Sequence, residues 1–382
     1  MVKQRGTVTA QSVFVSGRFN GVAAIVLLCT LITTNDAGGR PLTAPMQNPI
    51  DSIIRSFMKQ NAVPACSVGI GRGGALVYSK GYGRAGIKLP AGVDTVYRIG
   101  SLTKQFTAAL LLMASEGRIA ATGRQTLDTE TSLATFFPDQ KKWAGITLHH
   151  LLTHVSGMPS YTAAPNWRRQ QFKTITAESL LKRAQGYRPD FSPGTRGHYS
   201  NTNYLLLAHV LELYTGRTYS DLLEDHIFRP LGMTHTRVIS TAQPTGDQAR
   251  GSVKGRFISR RTHPNWAFGV GDLQSSVADL ARWNMALLGG RLMSHKSLEL
   301  MFSSTRTNKD PAVKGEKLAM GWMDISKGGV KRFYHQGYLH GFSAINYVTD
   351  PLSGPKTFVT LLCNGNLISE LPETALRIGK AF

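Results

Sequence analysis

The sequence predicts an α+β (α/β) protein in which one antiparallel sheet is built from strands at both chain ends, flanked by helices, with a large, mostly α-helical lobe inserted between them. Three observations carry this. β-branched and aromatic runs flanked by glycine occur early, at 65–70 and 75–82. Helical periods separated by Gly/Pro loops, such as LLLAHVLELYTGRT, fill 101–292. Strand-like runs then return at Gly329–Tyr334, Phe342–Thr349 and Lys356–Asn364, ahead of a final helical tail.

In chain order, Lys3, Arg5 and Arg18 accompany an apolar run from Val22 to Ile32 that is followed by small and polar residues around Ala37. Residues 1–37 thus have the shape of a signal peptide, and the protein is expected to be exported, periplasmic or secreted. The run is shorter than the roughly 20 apolar residues of a permanent span, so an uncleaved anchor is the lesser alternative. Cys29 follows Leu28 rather than a small residue and is not read as a lipidation site. Residues 38–382 are long enough for one large core at the size where a core begins to divide into lobes. The α/β lobe is placed at 45–100 and 305–382, and the α lobe at 101–304.

Pro49 to Asn61 spaces Ile53, Ile54, Phe57 and Met58 on one helical side. Arg72-Gly73-Gly74 joins the two strands that follow as a tight hairpin. Cys66 and Cys363 lie in apolar, strand-like stretches and are expected as buried free thiols, since sequence alone does not bring their Cα atoms within bridging distance.

Lys and Arg number 44 against 23 Asp and Glu, a net charge of +21, and +19 remains once residues 1–37 are removed. Such a surface attracts anionic envelope polymers and headgroups. The basic residues are scattered, with Arg168-Arg169 and Arg260-Arg261 as isolated pairs, and no nucleic-acid-reading motif accompanies them, so no nucleic-acid partner is expected.

Ser101-Leu102-Thr103-Lys104 is the sharpest chemical signal. Gly100 permits a sharp turn, and the AALLLMA run that follows makes a helix on which positions i and i+3 share a face. Lys104 is the only charged residue between Ile99 and Ser115, so this helix and its lysine are expected to be buried. Burial favours the neutral amine, which can take the proton of the Ser101 hydroxyl. The helix N-terminus can then stabilise an oxyanion. Tyr199-Ser200-Asn201 opens a helix after a Pro/Gly loop. Tyr199 can carry a proton beside Lys104, and Asn201 offers an amide to a substrate carbonyl. His335-Gln336-Gly337 ends a strand-like run, where Gly337 admits a substrate backbone and the Tyr338 N–H can donate to it.

On a buried helix, a loop and a late strand, these three elements resemble the active-site serine family of class C β-lactamases, DD-peptidases and related esterases. The surrounding stretches YRIGSLTKQFTA, ITLHHLLTHVSGMPSY, FSPGTRGHYSNTNYLLLAHVLE, PLGMTHT and HQGYLHGFSA resemble it too, over roughly residues 45–375. The resemblance implies a β-lactamase/transpeptidase-like fold and an acyl-enzyme on Ser101. It implies a proton shuttle of Lys104 and Tyr199, substrate positioning by Asn201, and an oxyanion hole from the N–H groups of Ser101 and Tyr338. Penicillin-hydrolysing members commonly carry Lys-Thr-Gly at the third element. His335 resembles the esterase and peptidase members more, and it is expected to be cationic only part of the time near neutral pH.

Other patterns carry less. Gly69 to Gly74 has dinucleotide-fingerprint spacing but is followed by a strand. His150 and His154 are four apart on a predicted helix, yet no Glu follows His150, so both are read as structural and no metal is expected. No Gly-x-Ser-x-Gly elbow occurs. The expectation is a serine hydrolase of esters or amides without metal or organic cofactor. Its substrate is a small ester, lactam or peptidoglycan-type peptide, with esterase or D-peptidase activity ahead of antibiotic hydrolysis. A non-hydrolytic penicillin- or cell-wall-peptide-binding protein is the alternative.

Overall fold

The structure, a computed structural model, describes Leu42 and residues 44–382 apart from 124–125, 240–245, 304–314 and 368. The signal-peptide reading of residues 1–37 lies outside the described residues. Among the described residues, no helix is long and apolar enough to cross a membrane.

The chain opens with helix α1 (Ala44–Gln60), then the hairpin β1 (Ala65–Arg72) and β2 (Ala75–Gly83). The hairpin turns at Gly73 and Gly74, with φ of 57° and 82°, which glycine adopts without a Cβ clash. Helix α1 begins five residues before Pro49, so the proline sits inside the helix rather than at its start. Short strands β3 (Tyr97–Arg98), β4 (Arg237–Val238), β5 (Ser252–Val253), β6 (Arg256–Phe257) and β7 (Leu273–Ser275) punctuate the helical middle. The helices that matter for the site are α2 (Thr103–Ser115), α3 (Leu148–Leu152), α4 (Asn201–Thr215) and α5 (Val277–Leu288). Strands β8 (Lys317–Ala319), β9 (Trp322–Asp324), β10 (Arg332–Leu339), β11 (Phe342–Thr349) and β12 (Thr357–Cys363) precede the final helix α6 (Leu371–Lys380).

Both chain ends share a seven-stranded antiparallel sheet of order β2-β1-β12-β11-β10-β9-β8, as the sequence predicts. Apolar residues on both faces explain its position at the centre of the molecule. One face packs Val68, Ile345 and Leu361 under Ile50, Ile54 and Phe57 of α1 and Leu371, Ala375 and Ile378 of α6. The other packs Ala344, Phe358 and Leu362 against α2 and α5, where Phe106 and Trp283 stack at 4.1 Å. Asn346 on β11 exchanges two 2.8 Å hydrogen bonds with Asn284 of α5 and donates to Gln105 Oε1 of α2 at 3.0 Å. These buried amides tie α2 to the sheet through Gln105 Oε1, while Gln105 Nε2 has no partner among the described residues.

The middle block is mostly helical, as the sequence predicts, with β3, β7 and β4 forming a second, small sheet and β5–β6 a hairpin, all too short to show alternation. Two sequence expectations need correction. The His335-Gln336-Gly337 element lies inside β10 rather than at the end of a strand. Cys66 and Cys363 are not free thiols. They are register partners on β1 and β12, their Cα atoms are 4.2 Å apart, and they form a disulfide. The pairing was hidden because it depends on the register of strands 297 residues apart.

The disulfide closes a loop from residue 66 to residue 363, a separation of 297 residues. Replacing both cysteines by serine is expected to cost about 2–4 kcal/mol of unfolding free energy, read from the urea midpoint without reductant. An unchanged midpoint would show that the sheet register does not depend on the link.

Candidate active site

The candidate nucleophile sits where three segments meet. Gly100 has φ 52°, and the turn Gly100–Leu102 is a 3-10 turn that runs into α2. The Thr103 hydroxyl donates to Gly100 O at 2.8 Å and accepts from Leu273 N–H at 3.2 Å, tying the turn to the first residue of β7. Strand β10 lies against the same turn. A Cβ at Gly337 would stand 1.8 Å from Ile99 O and 3.3 Å from Ser101 N, and one at Gly100 would stand 2.6 Å from Tyr338 N. Only glycine admits this approach.

Leu339 and Phe342 flank the two-residue turn between β10 and β11, so Leu339, Gly337 and His335 exchange ladder bonds with β11. Gln336 and Tyr338 therefore present their backbone groups to the opposite edge, which β9 covers only at Phe333 and Tyr334. The Tyr338 N–H thus lies on the edge of β10 that faces the Ser101 turn.

Ser101 is partly exposed, whereas Lys104 is fully buried. The Lys104 Nζ donates to Ser101 Oγ at 3.1 Å and to the Val270 carbonyl at 2.9 Å. Burial holds the amine well below the ordinary lysine range, and the Asp272 carboxylate pulls the other way. A neutral amine in hydrogen-bond reach of a hydroxyl can accept its proton.

Tyr199 lies on the loop leading into α4, with Lys104 Nζ 5.1 Å from its ring centroid. Asn201 is the first residue of α4. Its backbone N–H donates to Ser160 Oγ at 3.1 Å and its Nδ2 to Thr162 Oγ1 at 3.0 Å. The amide nitrogen expected to meet a substrate carbonyl is therefore engaged, and Oδ1 is the atom without a partner among the described residues.

His335 departs from expectation. It is buried, and burial together with Lys104 pushes its pKa down to about 3, so it is neutral near pH 7 rather than partly cationic. Its Nδ1 bonds the Gln336 carbonyl at 2.7 Å, and Nε2 has no partner among the described residues. His150 closes a capping box with Thr147 at the start of α3, while His154 packs against Tyr199 at 4.4 Å between ring centroids. Among the described residues no three potential metal-ligating side chains cluster.

Sequence reasoning missed the Val270 carbonyl, Asp272, and the hydroxyls of Ser160 and Thr162. The only signal for the first two was an acidic residue in the glycine-rich stretch FGVGD. Asp272 is buried, accepts from Gly269 N–H at 3.1 Å, and has a pKa raised by burial from 3.8 to about 7.

Two expectations follow. Between those two pKa values the folded state retains a proton that the unfolded state has released, so Asp272 lowers stability as pH rises through that window. Asp272→Asn removes this dependence, and the difference between variant and wild-type melting temperatures should move in the variant's favour from pH 5 to pH 8; a constant difference would refute it. Gly337→Ala forces β10 away from Ser101 and should lower kcat by ~10²-fold, with the far-ultraviolet circular dichroism unchanged.

The solved D-amino acid amidase from Ochrobactrum anthropi SV3 superposes with a TM-score of 0.75 at 26% identity, covering 88% of this chain and 99% of that one. An octameric penicillin-binding protein homologue from Pyrococcus abyssi gives a TM-score of 0.74 at 26% identity, covering 86% of this chain and 76% of that one. Protein flp from Staphylococcus aureus (strain MW2) is 27% identical over 349 residues, which is 86% of this chain and 65% of the relative. The chain spans less than two thirds of the length of such curated relatives, from 61% to 65%. The Beta-lactamase family model matches residues 50–380, so this chain belongs to the Beta-lactamase family.

Proposed function

We propose that the protein is a serine hydrolase that cleaves an ester or amide bond through a covalent acyl-enzyme on Ser101. The observation that carries this reading is the 3.1 Å contact between Ser101 Oγ and the buried amine of Lys104. Lys104 takes the hydroxyl proton as Ser101 Oγ attacks the carbonyl carbon. The N–H groups of Ser101 and Tyr338 hold the oxyanion. Tyr199, over which Lys104 lies, passes a proton to the leaving alkoxide or amine as the bond to it breaks. Water then attacks the acyl-enzyme, losing a proton to the same pair, and Ser101 is regenerated. Asn201 orients the substrate through its unused Oδ1.

The elements Tyr199-Ser200-Asn201 and His335-Gln336-Gly337 support placement with the class C β-lactamase, DD-peptidase and esterase members. A neutral His335 supplies no cation for a substrate carboxylate, which supports esters and D-amino-acid amides or peptides ahead of β-lactams. The amidase likeness supports the same order. The penicillin-binding homologue supports the alternative of a binder that acylates without turnover. The Cys66–Cys363 disulfide supports export to an oxidising compartment, where the net positive charge that remains without residues 1–37 favours association with anionic envelope surfaces.

A fluorophosphonate probe should label one site per chain, and Ser101→Ala should abolish that label. Labelling that persists in this variant overturns the assignment. Rates on a p-nitrophenyl ester, a D-amino-acid amide and a chromogenic cephalosporin should rank the cephalosporin last. A stoichiometric adduct with no release of product would select the binder.

A further inference from the structure

We propose that His154 is a positioning residue that fixes Tyr199 over Lys104, a role that rests on the reading of Ser101, Lys104 and Tyr199 as the reacting groups. His154 stands two residues beyond α3, is buried, and has φ 55°, a left-handed conformation rare for a residue of its size.

That conformation lets one residue hold the chain on both sides of Tyr199. The His154 carbonyl accepts from the His198 N–H at 2.9 Å. Its Nδ1 accepts from the Ser200 N–H at 3.1 Å. The imidazole also lies against the Tyr199 ring, with centroids 4.4 Å apart and planes at 32°, and has Tyr204 of α4 5.1 Å away. Tyr199 is thus held by the peptide before it, the peptide after it and an aromatic plate beside its ring. A loop tyrosine without these restraints would sample other positions relative to Lys104.

The clamp needs a neutral imidazole with its proton on Nε2, because Nδ1 acts as the acceptor. Asn203 Nδ2 stands 3.2 Å from the same Nδ1, and Asn203 Oδ1 accepts from Ser156 Oγ at 2.7 Å, which orients the amide as a donor toward His154. The titratable groups facing the imidazole are Lys104 on α2, His335 on β10, His198 and Tyr199 on the loop, and Tyr204 on α4. Burial and the cations that Lys104, His335 and His198 would form all oppose its protonation. Phenylalanine would supply the plate without the acceptor, and asparagine the acceptor without the plate. Histidine supplies both.

The test is a double-mutant cycle. His154→Phe and His154→Asn, the latter chosen because asparagine tolerates the left-handed region, are each made with Tyr199 intact and with Tyr199→Phe. With Tyr199 present, each should lower kcat by ~10²-fold, leave KM nearly unchanged and shift the alkaline limb of the pH–rate profile. With Tyr199→Phe, neither should cause a further loss. Equal fractional losses in both backgrounds, or an unmoved pH profile, would overturn the proposal. Should a variant fail to fold, ¹⁵N NMR of the wild-type imidazoles decides: Nδ1 of His154 should be unprotonated across the active pH range, and a protonated Nδ1 refutes the clamp. Serine-dependent fluorophosphonate labelling separates the two readings. If the label survives Ser101→Ala, the nucleophile assignment falls. If labelling requires Ser101 and the cycle is additive, only the role of His154 falls.

Discussion

The site depends on backbone clearance at the Ser101 turn. Strand β10 approaches so closely that a single Cβ at Gly337 would overlap Ile99 O, and Gly100 makes room for Tyr338 from the other side. This approach brings the backbone of β10 at Gly337 and Tyr338 against the Ser101 turn without any side chain having to reach. Under the proposed mechanism, oxyanion donors taken from the backbone of a strand and a helix start would be preorganised by packing. The buried exchange between Asn346 and Asn284, with Gln105 next to Lys104 in the chain, keeps α2 from sliding along the sheet.

Electrostatics supply the second half of the design. Lys104, His154 and His335 are all buried, and each is held toward its neutral form by desolvation, with further repulsion from neighbouring bases for the two histidines. Asp272 is the nearby carboxyl group that acts on Lys104, and its own burial keeps it from being a strong counter-ion near neutral pH. The neutral form of these bases thus comes from excluded water.

Much of this was legible from residue order. The Ser-x-x-Lys pair on a helix with no other charge announced a buried amine beside a hydroxyl, and Gly73-Gly74 announced the hairpin. What stayed hidden shares one cause, long-range register. The Cys66–Cys363 link, the Val270 acceptor for Lys104 and the hydroxyls that hold Asn201 each depend on segments far apart in the chain. The strand extent was misjudged at His335-Gln336-Gly337 because glycine reads locally as a strand end. Here it marks the place where another backbone passes.

The fate of His154 shows how such a misreading arises and what corrects it. Spacing alone pairs it with His150, since positions four apart share a helix face. The chain leaves the helix before reaching it, and the left-handed turn at residue 154 sends the ring to the Tyr199 loop while His150 stays at the cap of α3. Two histidines that look equivalent by periodicity therefore serve separate neighbourhoods, one closing a helix end and the other holding a tyrosine. The difference lies in one backbone angle, and it decides which of them can influence chemistry at Ser101.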